Sequence, residues 1–116
     1  MKCKPKMTDM EQQKRDIREV ANLHRPAPRD AGEYTGRIVT ERIGRLWKAG
    51  YEINTPTEAI IAPLNGCLTL FESEYKAVYD AIRCIKRSLL SFRPEHRGFL
   101  VDLCDVAFDS VNPTLF

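Results

Sequence analysis

Seven residues, Phe71, Tyr75, Val78, Ile82, Ile85, Leu89 and Phe92, follow one another at spacings of 4-3-4-3-4-3. No other feature of this chain restricts its folding as strongly. Alternating steps of four and three return to one side of a helix at every turn, so the run predicts a helix over residues 69–92 with a continuous apolar seam. Lys76, Asp80, Arg83 and Arg87 fall on the opposite face. Burying the seven side chains is worth roughly 10–20 kcal/mol of gross transfer energy, before the entropy of ordering them is subtracted. Such a seam either zips to a second copy, giving a homodimer, or forms the centre of a bundle within one chain. Three heptads are short for an autonomous coil and the other segments need something to pack on, which favours the bundle.

Start and stop signals divide the remainder. Residues 1–7 read as a flexible tail. Thr8 with Glu11 is a capping box, opening a helix over residues 9–24 whose apolar set is thin. Pro26 and Pro28 break it. Asp30 with Glu33 repeats the capping pattern and opens a second helix, closed by Gly50 as a left-handed C-cap. Thr55, Pro56 and Glu58 start a short helix that Pro63 and Asn65–Gly66 stop. Thr69 with Glu72 caps the seam helix, and Pro94 opens a last helix running to about residue 108. No strand alternation stands out. The expectation is an all-α fold: a compact bundle of four to five helices around the heptad-patterned helix, with residues 8–116 forming one domain.

In the second helix, Gly32, Gly36, Thr40 and Gly44 recur every four residues beside Val39, Ile43 and Trp47. Interior helix glycines cost about 0.5–1 kcal/mol each, so this ridge is expected to admit the close approach of another helix. The opposite face carries Glu33–Arg37 and Glu41–Arg45 in the i,i+4 order of a solvated surface. Tyr34 and Ile38 lie on that charged side. They are candidate protein-interface anchors, or else the first helix folds over them.

The 116 residues suffice for one domain with a real core, and 43% hydrophobic with 29% charged residues is ordinary globular composition. No stretch is apolar enough to span a bilayer and no secretory leader is visible, so the protein reads as cytoplasmic. A net charge of +2 is small for a dedicated nucleic-acid binder. Cys3, Cys67, Cys84 and Cys104 are widely spaced, with no CxxC, which points to free thiols rather than a disulfide or zinc framework. His24 and His96 stand in no metal-ligand spacing. Asp102, Asp105 and Asp109 on the last helix face solvent or a cation. No phosphate loop and no nucleophile–base set is present, so neither enzymatic activity nor a metal or other cofactor is expected.

The run YxxVxxxIxxIxxxLxxFRPExRxxLxxLC, through Tyr75, Val78, Ile82, Leu89, Pro94, Arg97, Leu100 and Leu103, resembles the helix pair that opens sigma-factor region 4 and some small phage regulators and antiterminators. The resemblance covers under a third of the chain. It departs where a DNA reader needs a recognition helix, because only DVAFDSVNPTLF follows. Small size, capped helices, apolar residues on charged faces and the lack of a catalytic set point to a small non-enzymatic regulatory or inhibitory protein that binds a macromolecular partner, and the resemblance implies that it is of phage or mobile-element type. On that reading the protein binds a partner protein in a host or viral complex. The alternative is a DNA-binding transcription regulator, for which Arg83, Lys86, Arg87, Arg93 and Arg97 supply the candidate nucleic-acid or anion patch.

Overall fold

The computed structural model describes residues 15–66 and 69–111. The tail over 1–7, the Thr8–Glu11 capping box, Cys3 and Cys67 lie outside them. The chain forms an α+β fold and not a helical bundle. Four strands, β1 (Asp16–Pro26), β2 (Glu33–Ile43), β3 (Leu46–Asn54) and β4 (Ala59–Ala62), precede two helices, α1 (Glu74–Arg87) and α2 (Pro94–Val111). The strands form one antiparallel sheet in the order β1-β2-β3-β4. Both helices pack on one face of it, α1 over β3 and α2 over β1.

The two long helices expected before residue 54 are therefore strands, and the residues explain why. Tyr34, Gly36, Ile38 and Thr40 of β2 alternate toward the helices, in register with Asn54–Ala49 of β3. Thr35, Ile38, Val39, Thr40 and Ile43 are β-branched, a composition that favours a pleated surface over a helix. Gly44 is not a helix-ridge residue. With φ 65° it is the first central residue of the two-residue turn joining Ile43 to Leu46, the position at which a type II′ hairpin places glycine. In β1 the alternation is hidden by a bulge. The register shifts between Glu19 and Ala21, so Val20 and Ala21 are both buried and a period of two is lost to the eye. Thr55 caps as expected, its hydroxyl accepting from the amides of Thr57 and Glu58, but this turn leads into β4 rather than a helix.

The C-terminal pair follows the sequence more closely. Ser73, rather than Thr69, caps α1, its hydroxyl accepting from the Lys76 amide at 3.1 Å. Val78, Ile82, Ile85 and Phe92 of the seam are buried, and the surface they cover is a sheet. With Ile38, Ile53, Phe99, Leu100 and Leu103 they form one core between the layers. The helical glycine ridge is absent, and only Gly36, a strand residue, meets a helix closely, which is not the heptad-patterned one. The helix is α2, and a Cβ at Gly36 would lie 2.8 Å from Leu103 Cδ2. On the far face, the chain leaving β4 crosses Gly50, where a Cβ would meet Ala62 O at 2.6 Å. Among the described residues no helix is long and apolar enough to cross a membrane.

Candidate functional site

Tyr34 and Ile38 cannot serve as exposed anchors, because both belong to the core. The sheet turns their alternating positions toward α1 and α2, whereas a helix would have left them among charges. Tyr34 stacks on Phe99 with ring centroids 5.2 Å apart.

The five basic candidates divide by role. Arg83, Lys86 and Arg87 are exposed on α1, with Arg83 reaching Asp80 at 3.8 Å. Arg97 is structural. Its Nε donates to the carbonyls of Leu89 and Phe92 at 2.9 and 3.0 Å, clamping the corner between the helices. Arg93 opens α2, loosely paired with Glu95 at 3.8 Å. The acids of α2 do not converge: Asp102 pairs with Arg25 at 3.0 Å, and Asp105 and Asp109 are exposed. Among the described residues no cluster suited to a metal ion forms.

Two aromatic residues on α1 alter the character of this surface. Tyr75 and Tyr79 are 40% and 49% exposed, one turn apart, with rings stacked at 6.1 Å and 19°. Phe108 of α2 lies 6.1 Å from Tyr75. Between the helices, Tyr79, Ile82 and Lys86 face Cys104, Asp105 and Phe108 across a groove of about 220 Å³. Leu90, in the turn after α1, is 83% exposed. Neither Tyr79 nor Leu90 stood out in the sequence, although Tyr79 sits off the seam, an aromatic on the polar side of an amphipathic helix. Cys104 lies at the groove floor, and burial pushes its thiol up to about 11.

A second concave site lies at the start of α2. It is a cleft of about 510 Å³ beside the buried His96. His96 Nδ1 is 2.8 Å from the Tyr34 hydroxyl, and Nε2 is 3.1 Å from Thr57 Oγ1, with Glu58 at 3.9 Å. These contacts make one hydrogen-bonded row, in which a Tyr34 hydroxyl that donates to Nδ1 goes with an Nε2–H that donates to Thr57. A hydroxyl nucleophile needs the opposite tautomer, in which an acceptor holds Nδ1–H and Nε2 is free to take a proton. Beside it, Arg29 and Asp30 adopt φ 59° and 56°, left-handed backbone that costs non-glycine residues about 1–2 kcal/mol each.

At the other end of α1, Glu74 accepts from Arg18 at 2.8 and 2.9 Å and from the buried Thr40 hydroxyl at 2.8 Å. Burial pushes its carboxyl up, and the Arg18 and Thr40 hydrogen bonds outweigh that, leaving it below the usual range.

Comparison with protein-family models, with curated proteins and with solved structures gives no significant match to this chain.

Proposed function

We propose that this is a small non-enzymatic binding protein, regulatory or inhibitory in role, acting in the cytoplasm by docking the outer face of α1 on a partner protein in a larger complex. The phage or mobile-element character of that reading rests on the sequence resemblance of the helix pair. The observation that carries the docking surface is the exposed Tyr75–Tyr79 stack with Leu90 beyond it. Exposed aromatics flanked by cations are the residue types that concentrate binding energy at interface centres. Lys86 and Arg87 form no ion pair among the described residues, so the complementary partner surface is acidic around an apolar patch.

The test is capture of partners from the native host by wild-type protein and by Tyr79→Ala and Leu90→Ala, with and without nuclease. Each alanine should weaken a nuclease-resistant protein partner by about 2 kcal/mol, roughly thirtyfold, with an unchanged melting temperature. Equal capture by wild type and both variants would refute the surface.

Direct nucleic-acid binding is the second reading, because tyrosines beside Arg83, Lys86 and Arg87 also suit base stacking on a cationic strip. Three phosphate contacts to a single strand would lose roughly twentyfold in affinity between 50 and 200 mM salt, from a slope of about −0.7 per contact. Nuclease-sensitive capture with that salt dependence would favour this reading.

A further inference from the structure

The cleft beside His96 is built differently from the α1 surface and takes a different kind of ligand. Its walls are apolar: Ala27, Pro28, Ala31 and Pro56, with the Tyr34 ring. Its polar groups are few. Arg29 and Arg93 bring two positive charges, set against the carboxylates of Glu95, 3.8 Å from Arg93, and of Glu58, 3.9 Å from His96 Nε2. Arg29 reaches this position through the left-handed turn at residues 29–30, closed by the Ala27 amide donating to Gly32 O at 2.9 Å.

Thr57 supplies the remaining group. Where Tyr34 donates to His96 Nδ1, the Nε2–H donates to the Thr57 oxygen and leaves the hydroxyl hydrogen to point into the cleft. Tyr34, His96 and Thr57 thus form a directed chain of donors rising from the core. That chain is anchored at its buried end, where Tyr34 and His96 are 7% and 5% exposed. A fixed donor at the wall, two guanidinium groups and an apolar pocket match a carboxylate on a compact hydrocarbon body.

We propose that this cleft binds a small organic carboxylate, with the acid group held by Thr57, Arg93 and Arg29 and the apolar body against Pro28, Pro56 and Tyr34. The site is separate from the α1 surface, so its occupancy does not depend on the docking reading.

Benzoate is a suitable probe, titrated into the intact protein and followed by amide chemical shifts. Saturable shifts are expected at Ala31, Thr57 and Glu95, with a Kd of about 1 mM or tighter, the range open to so small a ligand. Benzamide, which keeps the ring and removes the charge, should bind about tenfold more weakly. Arg93→Gln and Arg29→Gln should each weaken benzoate roughly three- to tenfold, and Thr57→Val by a similar factor. These positions are exposed, and well-dispersed spectra of each variant would show that the fold is kept. Tyr34→Phe is the variant that isolates the donor chain, because it removes the proton on Nδ1's partner while retaining the ring. Imidazole nitrogen shifts should report the Nε2–H tautomer in wild type and its loss in Tyr34→Phe, together with weaker benzoate binding. The proposal is overturned if benzoate does not saturate, if benzamide or inorganic phosphate binds the same amides equally well, or if the arginine variants bind as wild type does. Wild-type benzoate affinity in Tyr79→Ala, even where partner capture is lost, would show that the two sites stand independently.

Discussion

Replacing three glycines by alanine, one at a time, tests the two-layer packing most directly. At Gly36 the added Cβ would sit 2.8 Å from Leu103 Cδ2 and 3.1 Å from Phe99 Cε2. Carbon atoms in contact prefer about 3.5–4.0 Å, so Leu103 would have to retreat by roughly 1 Å. Leu103 is fully buried and Phe99 nearly so, which leaves no free space for that movement. Overpacking of this kind costs about 1–3 kcal/mol, against a gain of about 0.4–1 kcal/mol from the stiffer unfolded chain. The net expectation is a loss of about 1–2 kcal/mol. Gly50→Ala should lose more, toward the upper end of the overpacking range, because the obstructing atoms are backbone: Ala62 O at 2.6 Å and Leu64 N at 2.9 Å. Gly98 lies inside α2 with nothing within 4 Å of its built Cβ, so alanine there should gain about 0.5–1 kcal/mol of helix propensity. The assay is urea unfolding by circular dichroism, and the expected order of stability is Gly98→Ala, wild type, Gly36→Ala, Gly50→Ala. A Leu103→Ala background should reduce the Gly36→Ala penalty, since the nearest obstructing atom is gone and only the Phe99 contact at 3.1 Å remains. Equal stabilisation by alanine at positions 36 and 98 would refute the packing of α2 on β2.

Two further outcomes follow from buried groups. Because the Glu74 carboxyl is held below its unfolded value of 4.5, its contribution to stability is full above that pH and is lost as pH falls through the folded value. Glu74→Gln should therefore cost about 1 kcal/mol at pH 7, and its deficit relative to wild type should shrink as the pH falls below the unfolded value in pH-dependent urea titrations. Cys104, with its thiol pushed up to about 11 and its side chain buried, should resist iodoacetamide at pH 8 in the native protein and react once urea is added. Peptide mapping that finds native Cys104 alkylated as fast as the half-buried Cys84 would contradict that burial.

The helical third of the fold was readable because its signals are local and strong. The seam from Val78 to Phe92, the basic last turn of α1 and Pro94 at the start of α2 each act within a few residues. The sheet was misread for identifiable reasons. The bulge at Val20 breaks the alternation of β1, and Gly36 stands in the buried row of β2 where an apolar side chain would have signalled a strand. The i,i+4 pairs Glu33–Arg37 and Glu41–Arg45 imitate a solvated helix face. In the fold Glu41 instead pairs with Lys48 across the hairpin at 3.8 Å and with Arg15 at 2.8 Å. The cleft was legible only in pieces. His96, Thr57 and Arg29 were ordinary residues in three separate segments, and no spacing in the chain could announce that α2, the 55–58 turn and the 28–30 turn would bring them together. Arg83, Lys86 and Arg87 were correctly placed on one helix, whereas the role of Arg97 depended on carbonyls that only the corner geometry exposes.

The placement of α2 over β1 has a consequence for the order in which the protein is made. Every strand pairs with its neighbour in sequence, so the sheet can assemble as the chain emerges, and α1 can settle on β3 as soon as it is complete. α1 reaches β2 as well, whereas β1 takes its main cover from α2, an 18-residue helix made after it. At about 5–20 residues per second the 18 residues of α2 take roughly one to four seconds to add. Through that time Ala21, and Gly36 without its neighbours Leu103 and Phe99, lack their cover on a growing chain. α2 is thus the element that shields β1 of the nascent chain from its neighbours.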